Sequence, residues 1–151
     1  MVIESIRFGS LEVDEHDIIR FPQGLLGFGE EKAFVFLPHG QDSPFAFLQS
    51  VSQPELTFFI ADPFQFFADY EFELDDDLAG QIGLTADCPL QVFCIVTVAD
   101  KLEEMTANLL APVVVNWRER SAVQAVLDRK GYTTRHRLFP DGFPTKPKEG
   151  K

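Results

Sequence analysis

The chain has 151 residues, is 45% hydrophobic and carries a formal net charge of −11. A chain of this length buries roughly 68–70% of its unfolded surface in one core, so it needs no disulfide or metal staple. An acidic body repels phosphate, which disfavours direct nucleic-acid binding, and no apolar run approaches the roughly 20 residues of a membrane-spanning helix.

From the N-terminus, "MVIESIRFGS" lacks a basic region followed by an apolar stretch. It predicts no secretory leader and a cytoplasmic protein. "VIESIRF" (2–8), "LEVD" (11–14) and "IIRF" (18–21) are the first strand candidates. "GLLGFG" (24–29) carries three glycines, but the acids of "EEK" follow directly and would repel a phosphate, so it reads as a bent loop. "AFVFLP" (33–38), "PFAFLQS" (44–50), "LTFFIAD" (56–62), "YEFELD" (70–75), "LQVFCIVTV" (90–98) and "APVVVN" (111–116) read as further strands. "DDDLAGQIGL" (75–84) predicts a short helix, capped by Asp75 or Asp76 and kept short by Gly80 and Gly83. "RERSAVQAVLDRK" (118–130) has a helical composition, yet "AVQAVLD" alternates; the β surroundings favour a strand.

Many short strands with turn signals between them predict an all-β fold. The expectation is a compact single-domain β-barrel-like fold of mostly antiparallel strands with one short helix. It would span 1–139, with a disordered basic tail over 140–151, "PDGFPTKPKEGK".

Residues 1–115 hold 4 basic and 20 acidic side chains, a net of −16, whereas residues 116–151 hold 9 and 4, a net of +5. The acidic body should attract basic surfaces and speed encounter with them. The basic end reads as a solvated tail in preference to a nucleic-acid arm.

No catalytic constellation is visible. His16, His39 and His136 are far apart and none has metal-ligand spacing. "DDD" lacks the pattern of a calcium loop, and no serine sits in a nucleophile elbow. No metal, cofactor or enzymatic activity is expected. Cys88 and Cys94 read as free thiols, with Cys94 on the strand face of Leu90, Val92, Val96 and Val98.

The stretch "DPFQFFADYEFELDDD" (62–77) stands out, with five aromatic residues, seven acids and no lysine or arginine. In an extended segment Tyr70, Phe72 and Leu74 point one way, and Asp69, Glu71, Glu73 and Asp75 the other. Phe66 and Phe67 would point to opposite sides, leaving at least one of Phe64, Phe66 and Phe67 partly exposed. One reading is core packing plus protection of a sheet edge by charge. The other is a docking site, since aromatics rimmed by charge mark interfaces. A buried phenylalanine is worth about 1.5–3 kcal/mol and an exposed ion pair about 0–1 kcal/mol. The aromatics would therefore supply affinity, and the acids would select a basic partner and raise its on-rate. The candidate partner-binding residues are Phe64, Phe66, Phe67, Asp69, Glu71, Glu73, Asp75, Asp76 and Asp77. "ANLLAPVVVN" reads as architecture, with Asn108 holding a turn or a bulge and Val113–Val115 in the core; Trp117 reads as a rim-of-core residue.

The blocks "FPQGLLGF" (21–28), "FLQSVSQPELTFFIADPFQFFADYEFEL" (47–74) and "TANLLAPVVVNW" (106–117), in this order and at this length, resemble the FliW family of bacterial flagellar assembly factors. The likeness runs from "IRFG" to "LF" at 138–139 and leaves out the basic tail. It implies a β-barrel-like domain without enzymatic activity and two protein partners. These are flagellin and the RNA-binding regulator CsrA, whose repression of flagellin mRNA is relieved by FliW that flagellin has released. Two rivals are a small-ligand-binding or enzymatic barrel with an acidic pocket, and an oligonucleotide-binding barrel. The latter would interleave aromatics with Lys/Arg, whereas here they alternate with acids.

Overall fold

The computed structural model describes residues 1–40, 42–85, 90–98, 100–128 and 131–140, with the backbone alone at Leu102. In chain order the strands are β1 (Val2–Ser5), β2 (Gly9–Glu12), β3 (Ile18–Arg20), β4 (Ala33–Pro38), β5 (Phe45–Ser50) and β6 (Thr57–Ala61). The short helix α1 (Asp76–Gln81) follows, then β7 (Leu90–Thr97), β8 (Thr106–Ala107), β9 (Val113–Asn116), β10 (Ser121–Gln124) and β11 (His136–Arg137).

Seven strands close into a barrel in the order β7-β6-β5-β4-β3-β10-β9, with β9 returning to β7. Only the β3–β10 pair is parallel; the others in the ring are antiparallel. β7 makes closure possible because it is long enough to serve two neighbours on one edge. Its first half, Leu90–Phe93, pairs with Val113–Asn116, and its end, Val96–Thr97, pairs with Thr106–Ala107 of β8. β11 extends this flap beyond β8.

Strand alternation sorts side chains to the two sides of the wall. Ile19, Phe21, Phe34, Leu48, Ile60, Phe93, Val113, Val115 and Ala122 fill the interior. Leu25 joins them from the 24–29 loop and is 1% exposed. That loop folds back on itself, with the Phe28 N–H donating to the Leu25 carbonyl oxygen at 2.8 Å. Both Gly24 and Gly27 have positive φ there. It is the bent loop expected from its glycines.

Three satellite clusters cover the barrel's outside. The β1–β2 hairpin packs Ile3 and Val13 against Ile18 and Val35. The 72–84 segment packs Phe72, Leu74, Leu78 and Ile82 against Val92, Val114 and Val123. Segment 66–72 joins the 105–110 region, Leu127, Tyr132, Leu138 and Phe139 over Ala61, Cys94 and Val96. The predicted all-β barrel with one short helix is the observed architecture.

Several local expectations are corrected. "YEFELD" joins no ladder. It keeps alternating burial, with Tyr70 buried, Phe72 and Leu74 half-buried, and the intervening acids exposed. Its backbone is held by a side chain instead: the Tyr132 hydroxyl accepts from the Glu71 N–H and donates to the Glu71 carbonyl oxygen, both at 3.0 Å. "VIESIRF" ends as a strand at Ser5, where the Ser5 hydroxyl accepts from the N–H groups of Arg7 and Phe8 and turns the chain. Among the described residues of 118–130, only Ser121–Gln124 is strand. The helix begins where its cap predicts, with the Asp75 carboxylate accepting from the Asp77 N–H at 2.8 Å. Asn108 does hold a turn, its Oδ1 accepting from the Ala111 N–H at 3.0 Å. Trp117 packs edge-on against Phe36 at the barrel rim. Cys94 is a buried free thiol whose burial pushes its pKa up to about 12. Cys88 and residues 141–151 of the expected tail lie outside the described residues.

Candidate docking surface

The stretch 62–77 is built by two successive caps. The Asp62 carboxylate accepts from the Phe64 N–H at 3.0 Å and opens a tight 3₁₀ turn over Pro63–Gln65, with proline at its first position. The Phe66 and Phe67 N–H groups both donate to the Pro63 carbonyl oxygen, at 3.1 and 2.8 Å. The chain is therefore turned where an extended course was expected. Phe66 and Phe67 do not diverge to opposite sides; both are half-buried against the same satellite cluster. Phe66 packs against Phe45 and Phe139, at 5.5 and 5.8 Å between ring centroids, and Phe67 against His136 at 5.9 Å. Phe64 alone of the three faces outward, 48% exposed.

From Tyr70 onward the segment lies against the barrel wall with its acids outward. Asp69, Glu71, Glu73, Asp75, Asp76 and Asp77 are all exposed. Glu71, Glu73, Asp75 and Asp76 line one groove of about 790 Å³, with Phe72, Leu74 and Leu78 along its floor. The opposite wall comes from the segment after β10 and adds Asp128 and the exposed Val126. No lysine or arginine among the described residues lines it. Glu71, Phe72 and Leu74 also border an apolar hollow of about 300 Å³ that Phe64 and the exposed Leu90 share. Asp69 and Asp77 line neither depression.

Sequence reasoning thus found four of the five carboxylates of the groove and missed Asp128. Only chain folding brings it 50 or more residues back to Glu71–Asp76. It also missed a buried carboxylate elsewhere, Glu31, which is 8% exposed. Glu31 accepts hydrogen bonds from the Ser50 and Ser52 hydroxyls and the Gln53 amide, and these hold its pKa below the usual glutamate range. "LQSVSQPE" contains all three donors, but no local period links them to residue 31.

Chemically, the groove offers carboxylates over an apolar floor. Among the described residues no group of three or more His, Cys, Asp or Glu side chains is placed to hold a metal ion. Among the described residues no helix is long and apolar enough to cross a membrane.

Known proteins share both sequence and fold with this chain. The model of the FliW protein family matches residues 2–138. The flagellar assembly factor FliW of Desulfitobacterium hafniense (strain DSM 10664 / DCB-2) is 50% identical over 150 residues, covering 99% of each chain. That of Bacillus subtilis (strain 168) is 43% identical over 136 residues, covering 90% of this chain and 95% of its own. A crystal structure of the flagellar assembly factor FliW superposes with a TM-score of 0.87 at 42% identity, covering 93% of this chain and 99% of that one. A β-barrel of this topology, matched over nearly its whole length in sequence and in structure, belongs to the FliW family.

Proposed function

We propose that this chain is a cytoplasmic flagellar assembly factor that works by contact and converts no substrate. Its acidic groove captures the basic RNA-binding regulator CsrA and so antagonises repression of flagellin mRNA. Flagellin, the second partner, sequesters the chain until export sets it free. It binds neither nucleic acid nor membrane directly.

The observation that carries this reading is the groove that Glu71, Glu73, Asp75, Asp76 and Asp128 line together. Exposed Phe64, Leu90 and Val126 border it and its neighbouring hollow. Carboxylates at a rim raise the on-rate for a basic partner, and desolvated apolar side chains slow its release. Negative charge docked beside an RNA-binding surface also raises the cost of phosphate approach, without filling that surface. A ligand-binding barrel is less well supported, because large side chains such as Phe21, Phe34 and Leu48 occupy the interior.

The test is the association rate of purified CsrA with the wild-type chain and with the double variant Glu71→Lys/Glu73→Lys. The variant should associate about tenfold more slowly at low salt, with the difference shrinking as salt rises. Its melting temperature should stay close to that of the wild type. An unchanged association rate would remove the groove from the interface. Inhibition of RNA binding that excess RNA fully overcomes would replace the adjacent-charge mechanism with direct competition.

A further inference from the structure

We infer that the outer face of β5, β6 and β7 is a second docking surface, one that takes an apolar polypeptide segment carrying a carboxylate. Elsewhere the β1–β2 hairpin, the 72–84 segment and the β8–β11 flap cover the wall. Between the hairpin and the flap lies a cleft of about 530 Å³ whose floor is Phe45, Phe47 and Phe59. Phe45 and Phe59 stack at 5.0 Å, and Phe47 meets Phe59 at 5.1 Å, so the floor is a continuous aromatic sheet.

Charge decides the occupant. The chain has 24 acidic residues, yet no carboxylate lines this cleft among the described residues; its titratable lining groups are Arg7 and His39. Arg7 is one of only four lysines and arginines in the first 115 residues. Its guanidinium lies over Phe47, 4.9 Å from the ring centroid, and 5.8 Å from that of Phe8. Aromatic stacking fixes the plane of the guanidinium and leaves its N–H donors for an incoming acceptor. His39 packs edge-on against Phe45, Phe47 and Phe59. A planar cation held over an aromatic floor recognises a carboxylate attached to apolar groups.

The apolar surface also runs past the cleft, onto Phe8 at 36% exposure, and within the cleft Val98 is 54% exposed. Phe8 meets Phe47 edge-on at 5.1 Å, and Val98 lines the cleft's far wall. A surface that continues beyond a pocket suits a polypeptide segment better than a compact small molecule. The cleft shares no lining residue with the acidic groove and has the opposite charge preference. This inference therefore goes beyond the proposed capture of a basic partner and does not depend on it.

The experiment uses two fluorescein-labelled helical peptides, each with leucines along one face. One carries glutamates on its polar face and the other lysines. Fluorescence anisotropy is followed with the full chain and its variants Arg7→Glu, Val98→Asp and Glu73→Lys. The wild type should bind the glutamate peptide, Arg7→Glu and Val98→Asp should each weaken that binding by about tenfold, and Glu73→Lys should not weaken it. Arg7 and Val98 are exposed, so melting temperatures near that of the wild type should confirm that both variants fold. Absence of glutamate-peptide binding, or binding indifferent to Arg7→Glu, would overturn the inference. Binding of the lysine peptide alone, lost in Glu73→Lys, would also overturn it while leaving the acidic groove's role intact.

Discussion

The Tyr70 hydroxyl donates to the Leu109 carbonyl oxygen at 2.7 Å and so ties the start of the acidic segment to the flap that precedes β9. The Tyr132 ring meets Tyr70 edge-on at 4.8 Å, and its own hydroxyl clasps the backbone of Glu71. Two tyrosines thus do for residues 70–71 what a neighbouring strand does elsewhere. Burial pushes the Tyr70 pKa well above the usual tyrosine value, so the hydroxyl stays a donor across the working pH range.

Tyr70→Phe keeps the ring and removes the donor to a buried carbonyl. The expected cost is about 1–2 kcal/mol, a fall in melting temperature of roughly 5 °C for a chain of this size. Thermal unfolding followed by circular dichroism checks it. Hydrogen exchange at Glu71 should quicken in the same variant.

Gly24→Ala should destabilise the loop that delivers Leu25 to the barrel interior. Gly24 has φ +70°, and a Cβ there would lie 2.6 Å from the Gly29 carbonyl oxygen. The clash is with backbone, so no side chain can move aside. A loss of at least about 2 kcal/mol is expected, read from urea unfolding. An alanine at Gly27, where a Cβ would meet nothing within 4 Å, should cost less despite its φ of +82°.

Glu31 should make the fold sensitive to acid. Hydrogen bonds from Ser50, Ser52 and Gln53 favour its carboxylate form in the native state and lower its pKa from about 4.5. A group with a depressed native pKa contributes stability that is fully present above its unfolded value. That contribution is lost as pH falls through the native value. Stability should therefore hold from pH 7 down to about 5 and decline below about 4.5. In Glu31→Gln, urea midpoints measured across this range should start lower and depend less on pH below that point.

Cys94 should be chemically silent in the native protein. Its thiol is fully buried, donates weakly to the Ala61 carbonyl oxygen at 3.5 Å, and has a pKa of about 12. The thiolate is the reactive species. In a Cys88→Ser background, Ellman's reagent at pH 8 should release no thiol signal until guanidinium is added, and then one equivalent.

Phe64 separates binding from folding. Half of its surface is already in water, so Phe64→Ala should move stability by no more than about 0.5 kcal/mol. If it anchors a partner at the hollow it shares with Leu90, affinity for CsrA should fall about tenfold. Phe66→Ala should show the reverse balance, because its ring packs between Phe45 and Phe139. Calorimetric titration beside thermal melts distinguishes the two.

What this chain's sequence determined by itself was local. The apolar run "AFVFLP" and the β-branched run in "LQVFCIVTV" dictated strands, because side chains two residues apart share a face whatever the strand pairs with. The Asp75 cap is likewise written in neighbouring residues. Tertiary structure alone decided which backbone hydrogen bonds were made. "YEFELD" has a strand's pattern, but its backbone partner is the Tyr132 hydroxyl, 61 residues away. Barrel closure depends on Leu90–Phe93 finding Val113–Asn116, and the two-residue strands β8 and β11 are too short to carry a period. Asp128 reaches the acidic groove, and Arg7 the aromatic cleft, by the same means. A side chain's face is set by its nearest neighbours, whereas the company it keeps is set by long-range pairing, and sequence periodicity carries no record of that.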